Sequence, residues 1–291
     1  MSIFHKIGML ISPMLGDKQY VRLKWLYRMR GAKLNLENPQ TFNEKLQWLK
    51  LYYHNPLQTL MVDKFKVKQY VSDIIGNNYV IPLLGVWNSV DEIDWDKLPQ
   101  QFVLKCSHDC GGMVICKDKE LLDIEKAKMK LRKCLRTNYY YASREWPYKN
   151  VKPRVFAEEY KEDEFGELRD YKWFCFNGKP KALFIATNRS RGADQTRFDF
   201  YDEGYNHLPF TNGHPNSTEV IEKPLGFDDM RKLACVLSEG IPFVRIDFYD
   251  VKGHIYFGEF TFYHWGGMMP FKPKEWDYKF GNWLQLPAPM L

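Results

Sequence analysis

Charged and aromatic residues alternate in residues 243–262, near the C-terminal end of the chain. Because successive side chains of a strand point to opposite faces, Arg245 and Asp247 share one face of the first half of this segment. Glu259 and Thr261 share a face of the second half in the same way, while the intervening Ile and Phe residues belong to an apolar face. The alternation predicts a half-buried hairpin whose polar face carries two carboxylates and one guanidinium.

The loop of this hairpin decides which residues stand opposite one another. We interpret residues 251–253 as a three-residue loop with Gly253 in the left-handed conformation that glycine adopts readily. That register places Arg245 opposite Glu259, with Asp247 as a diagonal neighbour at roughly 7–8 Å. The two carboxylates could bind a divalent cation, and Arg245 could contact a phosphoryl group. The alternative is an ordinary Arg–Glu pair on a wet sheet face.

A lysine at the end of a short apolar strand precedes a pair of glycines. Residues 102–105 read Phe-Val-Leu-Lys, and Gly111 and Gly112 follow in a polar loop. The backbone N–H groups of such a loop and the point charge of Lys105 suit the phosphates of a nucleotide. Taken alone, the pattern fits an ordinary turn equally well.

Another apolar run ends in Glu158, Glu159 and Tyr160, and a polar loop connects it to a further strand. Asp170 and Lys172 share one face of that strand because they are two residues apart. Taken alone, this pattern also fits a surface ion pair on a half-buried strand.

The surrounding elements are helices in the first third and mostly short strands afterwards. Thr41 and Glu44 have capping-box spacing and predict a helix from residue 42, and a second helix is predicted over residues 63–75. Pro82 makes residues 80–87 a connector or an edge strand. Seven strands are predicted, joined in part by tight turns such as that at 177–178: residues 102–105, 113–116, 154–160, 171–176, 181–186, 243–249 and 254–262. With further helices at 120–138 and 227–239, this mixture indicates the α+β class.

Composition excludes several classes of protein. With 45% hydrophobic residues in 291, the chain is too apolar for a disordered protein. Six Cys in a chain of this length are too few for a disulfide-rich scaffold. No run of 18 apolar residues exists, so a membrane-spanning helix is not expected. We expect a cytoplasmic location because no signal-peptide cleavage pattern follows the first 15 residues. Peripheral membrane contact of that segment stays open.

Positive charge is concentrated at the start of the chain. The net charge is +6, and residues 1–70 hold 12 Lys or Arg against 4 Asp or Glu. The segment is either a solvated helical face or a contact for an anionic partner such as an acidic glycan or a phospholipid headgroup. Nucleic acid is not expected, because no recognised nucleic-acid module accompanies the charge. The P-loop, GxGxxG, HExxH and GxSxG motifs are all absent from the sequence.

Taken in order, these segments resemble the TupA-like (teichuronopeptide-biosynthesis) branch of the ATP-grasp superfamily, over about residues 23–287. The segments that carry the resemblance are residues 41–46, 63–64, 102–105 with 111–112, 157–160, 170–172, 176–178, 244–249 and 258–262. The resemblance implies an α+β ATP-grasp fold in which two lobes clamp ATP and Mg²⁺. It implies a helical N-terminal segment over 1–85, a small lobe with the Gly-rich loop over 86–150, and a large lobe with the metal-binding hairpin over 151–291.

The resemblance also implies roles for the nucleotide-binding residues. Lys105 would contact the phosphates, and Gly111 and Gly112 would belong to the loop that covers them. Residues 158–160 would form a hinge whose backbone binds adenine. Lys172 and Arg197 would be further phosphate contacts.

For the hairpin, the resemblance implies a metal site and a catalytic cation. Asp247 and Glu259 would bind Mg²⁺, and Arg245 would stabilise an acyl-phosphate. Many ATP-grasp ligases carry Asn two residues after the metal-binding Glu, whereas this chain has Thr261, a poorer metal ligand. The implied activity is ligation of a carboxylate to an amine, here an amino acid joined to a uronic acid of a cell-surface polysaccharide such as a capsule.

Four alternatives remain open at this stage. A glycosyltransferase would use an Asp-x-Asp motif, which residues 94–96 fit literally, and a sugar kinase would use the same fold to transfer phosphate. A binding module without catalysis is the third, although the retention of Lys105 and the hairpin's charged residues argues against it. A zinc site would use the cluster of Cys106, His108, Cys110 and Cys116, which lacks the usual zinc-site spacing.

Overall fold

The computed structural model describes residues 15–108, 112–166, 168–189 and 192–291. The helices in this part of the chain are α1 (Asp17–Arg28), α2 (Phe42–Tyr52), α3 (Leu57–Val62), α4 (Val67–Ile75), α5 (Ile124–Leu135), α6 (Tyr139–Ser143), α7 (Phe227–Leu237) and α8 (Glu275–Trp283). The strands are β1 (Leu83–Trp87), β2 (Phe102–Cys106), β3 (Val114–Cys116), β4 (Val155–Glu159), β5 (Asp170–Phe176), β6 (Lys179–Thr187), β7 (Arg197–Asp202), β8 (His207–Leu208), β9 (Thr211–Asn212), β10 (Phe243–Val251), β11 (His254–Thr261) and β12 (Phe271–Lys272). Mixed helices and antiparallel strands confirm the α+β class.

The chain divides into two compact units. Of the described residues, the first unit contains those within Asn55–Lys161, and the second combines residues 15–54 with those within Glu162–Leu291. Residues 15–54 and 55–85, which were expected to form one helical segment, thus lie in different units. The predicted boundary at 150/151 lies eleven residues before this division at 161/162.

The first unit is an antiparallel sheet covered by a helix on one face. Its strand order is β1-β4-β2-β3, so β1 is the edge strand that Pro82 predicted. Alternate residues of β2 and β4 pack into a buried core with Ala127 and Leu131 of α5. The intervening positions, including Lys105 and Glu158, therefore belong to the other face of the sheet.

The helix predicted over residues 63–75 is shorter in the structure. Asp63 separates α3 from α4, and its Oδ1 accepts hydrogen bonds from the backbone N–H groups of Phe65 and Lys66, both at 3.1 Å. A carboxylate in this position satisfies donors at the start of a helix. The second helix therefore begins at Val67, four residues later than predicted.

The second unit is built on a six-stranded antiparallel sheet with the order β11-β10-β5-β6-β7-β8. On one face, Phe42 of α2 packs its ring within 4.8–6.3 Å of five phenylalanine rings: Phe174, Phe176, Phe243, Phe271 and Phe280. The predicted capping box fixes the start of α2, because Thr41 accepts from the Glu44 N–H while the Glu44 side chain accepts from the Thr41 N–H. The predicted turn at Asn177-Gly178 joins β5 to β6, with both residues at positive φ.

Within the described residues, no helix combines the length and the apolarity needed to cross a bilayer. The N-terminal segment considered for peripheral membrane contact lies, up to residue 14, outside the described residues.

Candidate functional site: a charged cluster on the β10–β11 hairpin

The hairpin forms as predicted, but its register differs from the prediction. The loop has two residues, Lys252 (φ 54°) and Gly253 (φ 86°), and Val251 pairs with His254. Positive φ at both loop positions is typical of a two-residue type I′ turn, whose twist matches that of the flanking strands, so the three-residue loop that we expected is wrong. The prediction that Arg245 stands opposite Glu259 is therefore wrong, and Arg245 pairs with Thr261.

A β-bulge brings the two carboxylates to one face despite the shorter loop. Phe248 pairs with Phe257, and the register then shifts so that Asp247 pairs with Glu259 across the strands. In an unbroken ladder, Glu259 would instead oppose Ile246, whose side chain lies in the core. The extra residue of the bulge is Gly258, so one glycine places Glu259 beside Asp247.

The bulge leaves little room for a side chain at Gly258. A Cβ at Gly258 would lie 3.0 Å from the backbone oxygen of Asp247 and 3.3 Å from the ring of Tyr249. Both neighbours belong to β10, so a side chain here would press against the partner strand.

The guanidinium of Arg245 holds the cluster together. Its Nε donates to Asp247 Oδ1 and its Nη2 to Asp247 Oδ2, both at 2.7 Å, which is a bidentate ion pair. Nη2 also donates to Thr261 Oγ1 at 3.0 Å and to Glu259 Oε1 at 3.4 Å. Asp247 is almost fully buried, whereas the side chain of Glu259 is one-third exposed.

Lys172 adds a second cation from the neighbouring strand. It stands opposite Asp247 in the ladder between β5 and β10 and forms ion pairs with Asp247 and, at 2.9 Å, with Asp170. Burial lowers the pKa of Lys172, and the Asp247 carboxylate opposes that shift. Asp170 in turn pairs with Arg189, a half-exposed residue beyond the end of β6.

The donor atoms of this cluster fit a hard divalent cation. Asp247, Glu259 and Thr261 offer only oxygen, and Thr261 Oγ1 lies 3.3 Å from Glu259 Oε1. In the described part of the chain, no group of three or more His, Cys, Asp or Glu side chains is arranged to hold a metal ion. Mg²⁺ commonly binds through one or two carboxylates together with substrate phosphates, and this pair matches that requirement.

The first unit contains a second charged cluster. The carboxylate of Glu158, which is 3% exposed, lies between Lys105 and Lys68, with 2.8 Å to Lys68 Nζ. Lys68 Nζ also donates to the carbonyl oxygen of Ile81 at 2.9 Å. Burial acts to raise the pKa of Glu158, but the two ammonium groups outweigh it and hold the pKa below its usual range. Glu158 is therefore a buried anion that draws two lysines to one place.

The remaining predicted nucleotide-binding residues lie in varied surroundings. Glu159 donates its backbone N–H to Pro82 O at 3.1 Å and pairs its carboxylate with Lys161 at 2.8 Å. Tyr160 has an ammonium over its ring, that of Lys117 at 5.5 Å. Of the predicted glycine loop, Gly112 is described and buried, whereas Gly111 lies outside the described residues.

Arg197 lies at the start of β7 and uses its guanidinium locally. Its Nη1 donates to the carbonyl oxygens of Asp194 at 2.9 Å and of Thr196 at 3.0 Å. These bonds orient the side chain toward its own loop, whereas Lys172 and Arg245 orient theirs toward the hairpin carboxylates.

The residues of the glycosyltransferase and zinc interpretations contact parts of the chain other than the two charged clusters. In the literal Asp-x-Asp motif, Asp94 pairs with Lys97 at 2.9 Å on the surface, and Asp96 accepts at its backbone oxygen from Lys119. In the proposed zinc cluster, His108 Nε2 lies 3.1 Å from the Thr137 carbonyl oxygen, and Cys110 lies outside the described residues.

Sequence reasoning missed Lys68 and His264, which contact predicted site residues, and Asn212, which contacts His264. Lys68 follows Asp63-Lys64, part of the segments that carry the resemblance, but nothing in the sequence shows that its side chain is buried. His264 lies three residues after Thr261 and 2.9 Å from Arg245. The position of His264, close after the predicted metal-binding strand, could have marked it as a site residue. Nothing in the sequence could have marked Asn212, which lies 52 residues earlier.

Comparison with protein families matches residues 44–285 to the TupA-like ATPgrasp family. The match covers both charged clusters and more than four-fifths of the chain. No curated protein gives a significant sequence match.

Among solved structures, the chain is similar to D-alanine–D-alanine ligases. For the enzyme from Bacillus anthracis complexed with ATP, the identity is 16%, the TM-score 0.40, and the coverage 69% of this chain and 53% of that one. For the enzyme from Helicobacter pylori, the values are 14%, 0.44, 78% and 62%. The ATP-grasp ligase PsnB complexed with a minimal precursor, Mg and ADP gives 13%, 0.38, 75% and 57%. The chain thus spans a little over half the length of the solved structures that it matches.

Proposed function

The chain belongs to the TupA-like ATP-grasp family, and from this membership we propose that it is an ATP- and Mg²⁺-dependent carboxylate–amine ligase. The observation that carries the proposal is the convergence of Arg245, Asp247, Glu259 and Lys172 on one sheet face. Two carboxylates beside two cations suit a reaction in which a metal-bound phosphoryl group is transferred.

The proposed reaction has two steps, phosphorylation of the carboxylate and formation of the amide. A carboxylate oxygen of the substrate attacks the γ-phosphorus of ATP, the bond to the bridging oxygen breaks, and ADP leaves with the electron pair. The amine nitrogen then attacks the acyl carbon, the bond to phosphate breaks, and the amine loses a proton. The products are an amide, ADP and phosphate.

We assign roles to the residues from the family resemblance and from their charges. Arg245 presents a delocalised cation to the oxygens of the transferring group, and Lys172 and Lys105 supply point charges to phosphates. Asp247, Glu259 and Thr261 would hold Mg²⁺, which when bound neutralises charge on the phosphate oxygens. Gly111 and Gly112 would cover the phosphates with backbone N–H groups, and residues 158–160 would bind adenine through their backbone.

We propose an amino acid as the amine and a uronic acid of a cell-surface polysaccharide as the carboxylate substrate. The family resemblance and the excess of positive charge in residues 1–70 support an acidic sugar. Because ATP is a cytoplasmic metabolite, the proposed reaction would take place in the cytoplasm.

The experiment that tests the proposal is ADP release from Mg·ATP over a panel of amino acids paired with uronic acids and their nucleotide-linked forms. We expect ADP and phosphate to form together with an amide detected by mass spectrometry. A phosphorylated sugar without an amide would identify a kinase, and a new glycosidic bond formed from a nucleotide sugar would identify a glycosyltransferase. Either product would contradict the ligase.

Two variants connect the activity to the hairpin. We expect Glu259→Gln to lower kcat by on the order of 100-fold, because it removes a carboxylate charge that would bind Mg²⁺. The matched control is Glu203→Gln, which removes an exposed carboxylate of the same unit that forms an ion pair with Lys181. Equal activity of the two variants would contradict the role given to the hairpin.

A further inference from the structure

The hydrogen bonds of Arg245 continue away from the carboxylates through two buried polar residues. Nη1 of Arg245 lies 2.9 Å from His264 Nδ1, and His264 Nε2 lies 2.9 Å from Asn212 Oδ1. Asn212 Nδ2 then donates to the carbonyl oxygen of Met269 at 3.0 Å. His264 is 3% exposed and Asn212 is 1% exposed, so this chain of contacts is closed to water.

The direction of every bond in this chain is determined by its two ends. A guanidinium can only donate, so His264 Nδ1 accepts from Arg245 and the proton of the ring is on Nε2. A carbonyl oxygen can only accept, so Asn212 donates through Nδ2 and accepts from His264 through Oδ1. The two requirements agree, and they define His264 as a neutral imidazole with one tautomer.

The surroundings of His264 favour that neutral form. Its ring packs against Phe174 at 4.9 Å and Phe184 at 5.5 Å between ring centroids. Burial, followed by the charges of Arg245 and Lys172, lowers the pKa of His264 well below its usual range. Because an imidazolium would face Arg245 with a donor and a like charge, only the neutral ring can accept this bond.

The backbone that carries His264 is held in place by α2. Trp265, Gly266 and Gly267 all adopt left-handed backbone angles (φ 52°, 62° and 63°). From the buried face of α2, Gln47 Nε2 donates to the carbonyl oxygens of Gly266 (2.9 Å) and Gly267 (2.8 Å), and Lys50 Nζ donates to that of Gly266 (2.9 Å). These bonds stabilise an otherwise unfavourable turn for a residue as bulky as tryptophan.

We propose that His264, oriented by Asn212, is a positioning residue that fixes the Arg245 guanidinium for phosphoryl transfer. The role in phosphoryl transfer rests on the proposed function, whereas the positioning of Arg245 by His264 does not depend on it. Asp247 holds Nε and Nη2 of the guanidinium, and His264 holds Nη1, so the plane of the group is fixed on two sides. Without His264, Nη1 loses this acceptor, and the bonds to Asp247, Glu259 and Thr261 hold the guanidinium through Nε and Nη2. We expect the guanidinium to be less firmly oriented toward a phosphoryl group.

Two substitutions at His264 separate positioning from packing. In His264→Leu, the ring is replaced by a side chain of similar apolar character without an acceptor. In His264→Asn, the amide oxygen takes the place of Nδ1 and can accept from Arg245. The control is His254→Leu, which changes a histidine at the exposed tip of the hairpin.

The kinetic measurement uses ADP release with the substrate pair that gives the highest rate in the panel above. We expect His264→Leu to lower kcat by on the order of 100-fold while the KM for ATP changes less than about threefold, because orientation rather than binding is lost. We expect His264→Asn to recover a large part of that loss and the control to match the parent. A His264→Leu variant that folds and keeps the parent kcat would overturn the proposal, and so would equal losses in the Leu and Asn variants.

A second measurement does not depend on turnover. Long-range ¹H–¹⁵N correlation spectra report the protonation of each ring nitrogen, and the Arg245 side-chain signals report how fast the guanidinium rotates. In the parent we expect an unprotonated Nδ1 on His264 and slow rotation of Arg245, and faster rotation in His264→Leu. A protonated Nδ1, or equal rotation in parent and variant, overturns the proposal. If the parent releases no ADP with any pair, the proposed ligase fails while these spectra still decide whether His264 positions Arg245.

Discussion

Each unit of the molecule buries a carboxylate between two cations, but the two clusters differ in what they leave for a ligand. In the first unit, Glu158 lies between Lys68 and Lys105, so one positive charge is in excess. In the second unit, Arg245 and Lys172 are balanced by Asp247 and Glu259, and the Glu259 side chain is one-third exposed. An excess of ammonium groups suits a phosphate, whereas an accessible carboxylate suits a metal ion. Similar buried ion pairs therefore suit different chemical groups, a phosphate in the first unit and a metal ion in the second.

The largest effect that we predict on stability comes from removing the central carboxylate of the first cluster. Glu158→Leu would leave Lys68 and Lys105 without their shared counter-ion, at a cost of about 3–5 kcal/mol in the free energy of unfolding. Guanidinium chloride denaturation measures this, with Glu159→Leu as the control, because the side chain of Glu159 is 42% exposed. A loss no greater than that of the control would show that Lys68 and Lys105 do not depend on Glu158 as a counter-ion.

Asp277 differs from Glu158 and Asp247 because it is a buried carboxylate whose hydrogen bonds come from Asn43 and not from a cation. Its Oδ1 and Oδ2 accept from the backbone and side-chain nitrogens of Asn43, both at 2.9 Å, and burial raises its pKa to about 6. The folded state therefore binds a proton more tightly than the unfolded state. Stability is highest below about pH 4 for this group and falls as the pH rises to about 6, by up to roughly 3 kcal/mol.

Denaturation of the parent and of Asp277→Asn at several pH values checks this dependence. We expect the variant to lose the fall between about pH 4 and pH 6 that Asp277 contributes, since an amide does not titrate. An identical pH dependence in parent and variant would show that burial of Asp277 without a cation has no energetic consequence.

A smaller effect is expected at the bulge that sets the second cluster apart. Gly258→Val would force the strands apart near Asp247 and Tyr249, with a cost of about 1–3 kcal/mol. Because the bulge places Glu259 beside Asp247, we also expect a loss of Mg²⁺-dependent ADP release larger than the loss of stability explains. Wild-type kinetics in a destabilised Gly258→Val variant would show that the bulge has no part in the site.

The smallest effect concerns the rim of the second cluster. Arg189 pairs with Asp170, but its side chain is 52% exposed, and such pairs contribute about 0–1 kcal/mol. We expect Arg189→Gln to change the free energy of unfolding by less than that upper value and to leave Lys172 in place. A loss as large as that of Glu158→Leu would mean that the two clusters are not distinguished by burial.

The alternation of residue types predicted the elements well, because it reflects which face of each strand is buried. All seven predicted strand segments contain a strand, and β7, which carries Arg197, was missed although its residues also alternate. The capping box of α2 and the turn at residues 177–178 were predictable because each depends only on neighbouring residues.

The contacts of the site were less predictable, because they depend on register and on distant segments. A loop one residue shorter than expected and a one-residue bulge together changed the pairing of Arg245 and Asp247, and only Gly258 hinted at the bulge. Lys68 reaches Glu158 from a helix 90 residues earlier in the chain, and Asn212 reaches His264 across 52 residues. Such encounters follow from tertiary packing, which periodicity does not encode.

The central claim is that Asp247 and Glu259 together hold the metal of a bound nucleotide. The most direct measurement is a crystal structure with Mn²⁺ in place of Mg²⁺ and a non-hydrolysable ATP analogue, in which anomalous scattering locates the metal. We predict a peak at about 2.1–2.2 Å from an oxygen of each carboxylate, close to the metal–oxygen distance of Mg²⁺. A bound nucleotide whose Mn²⁺ contacts neither Asp247 nor Glu259 would contradict the account.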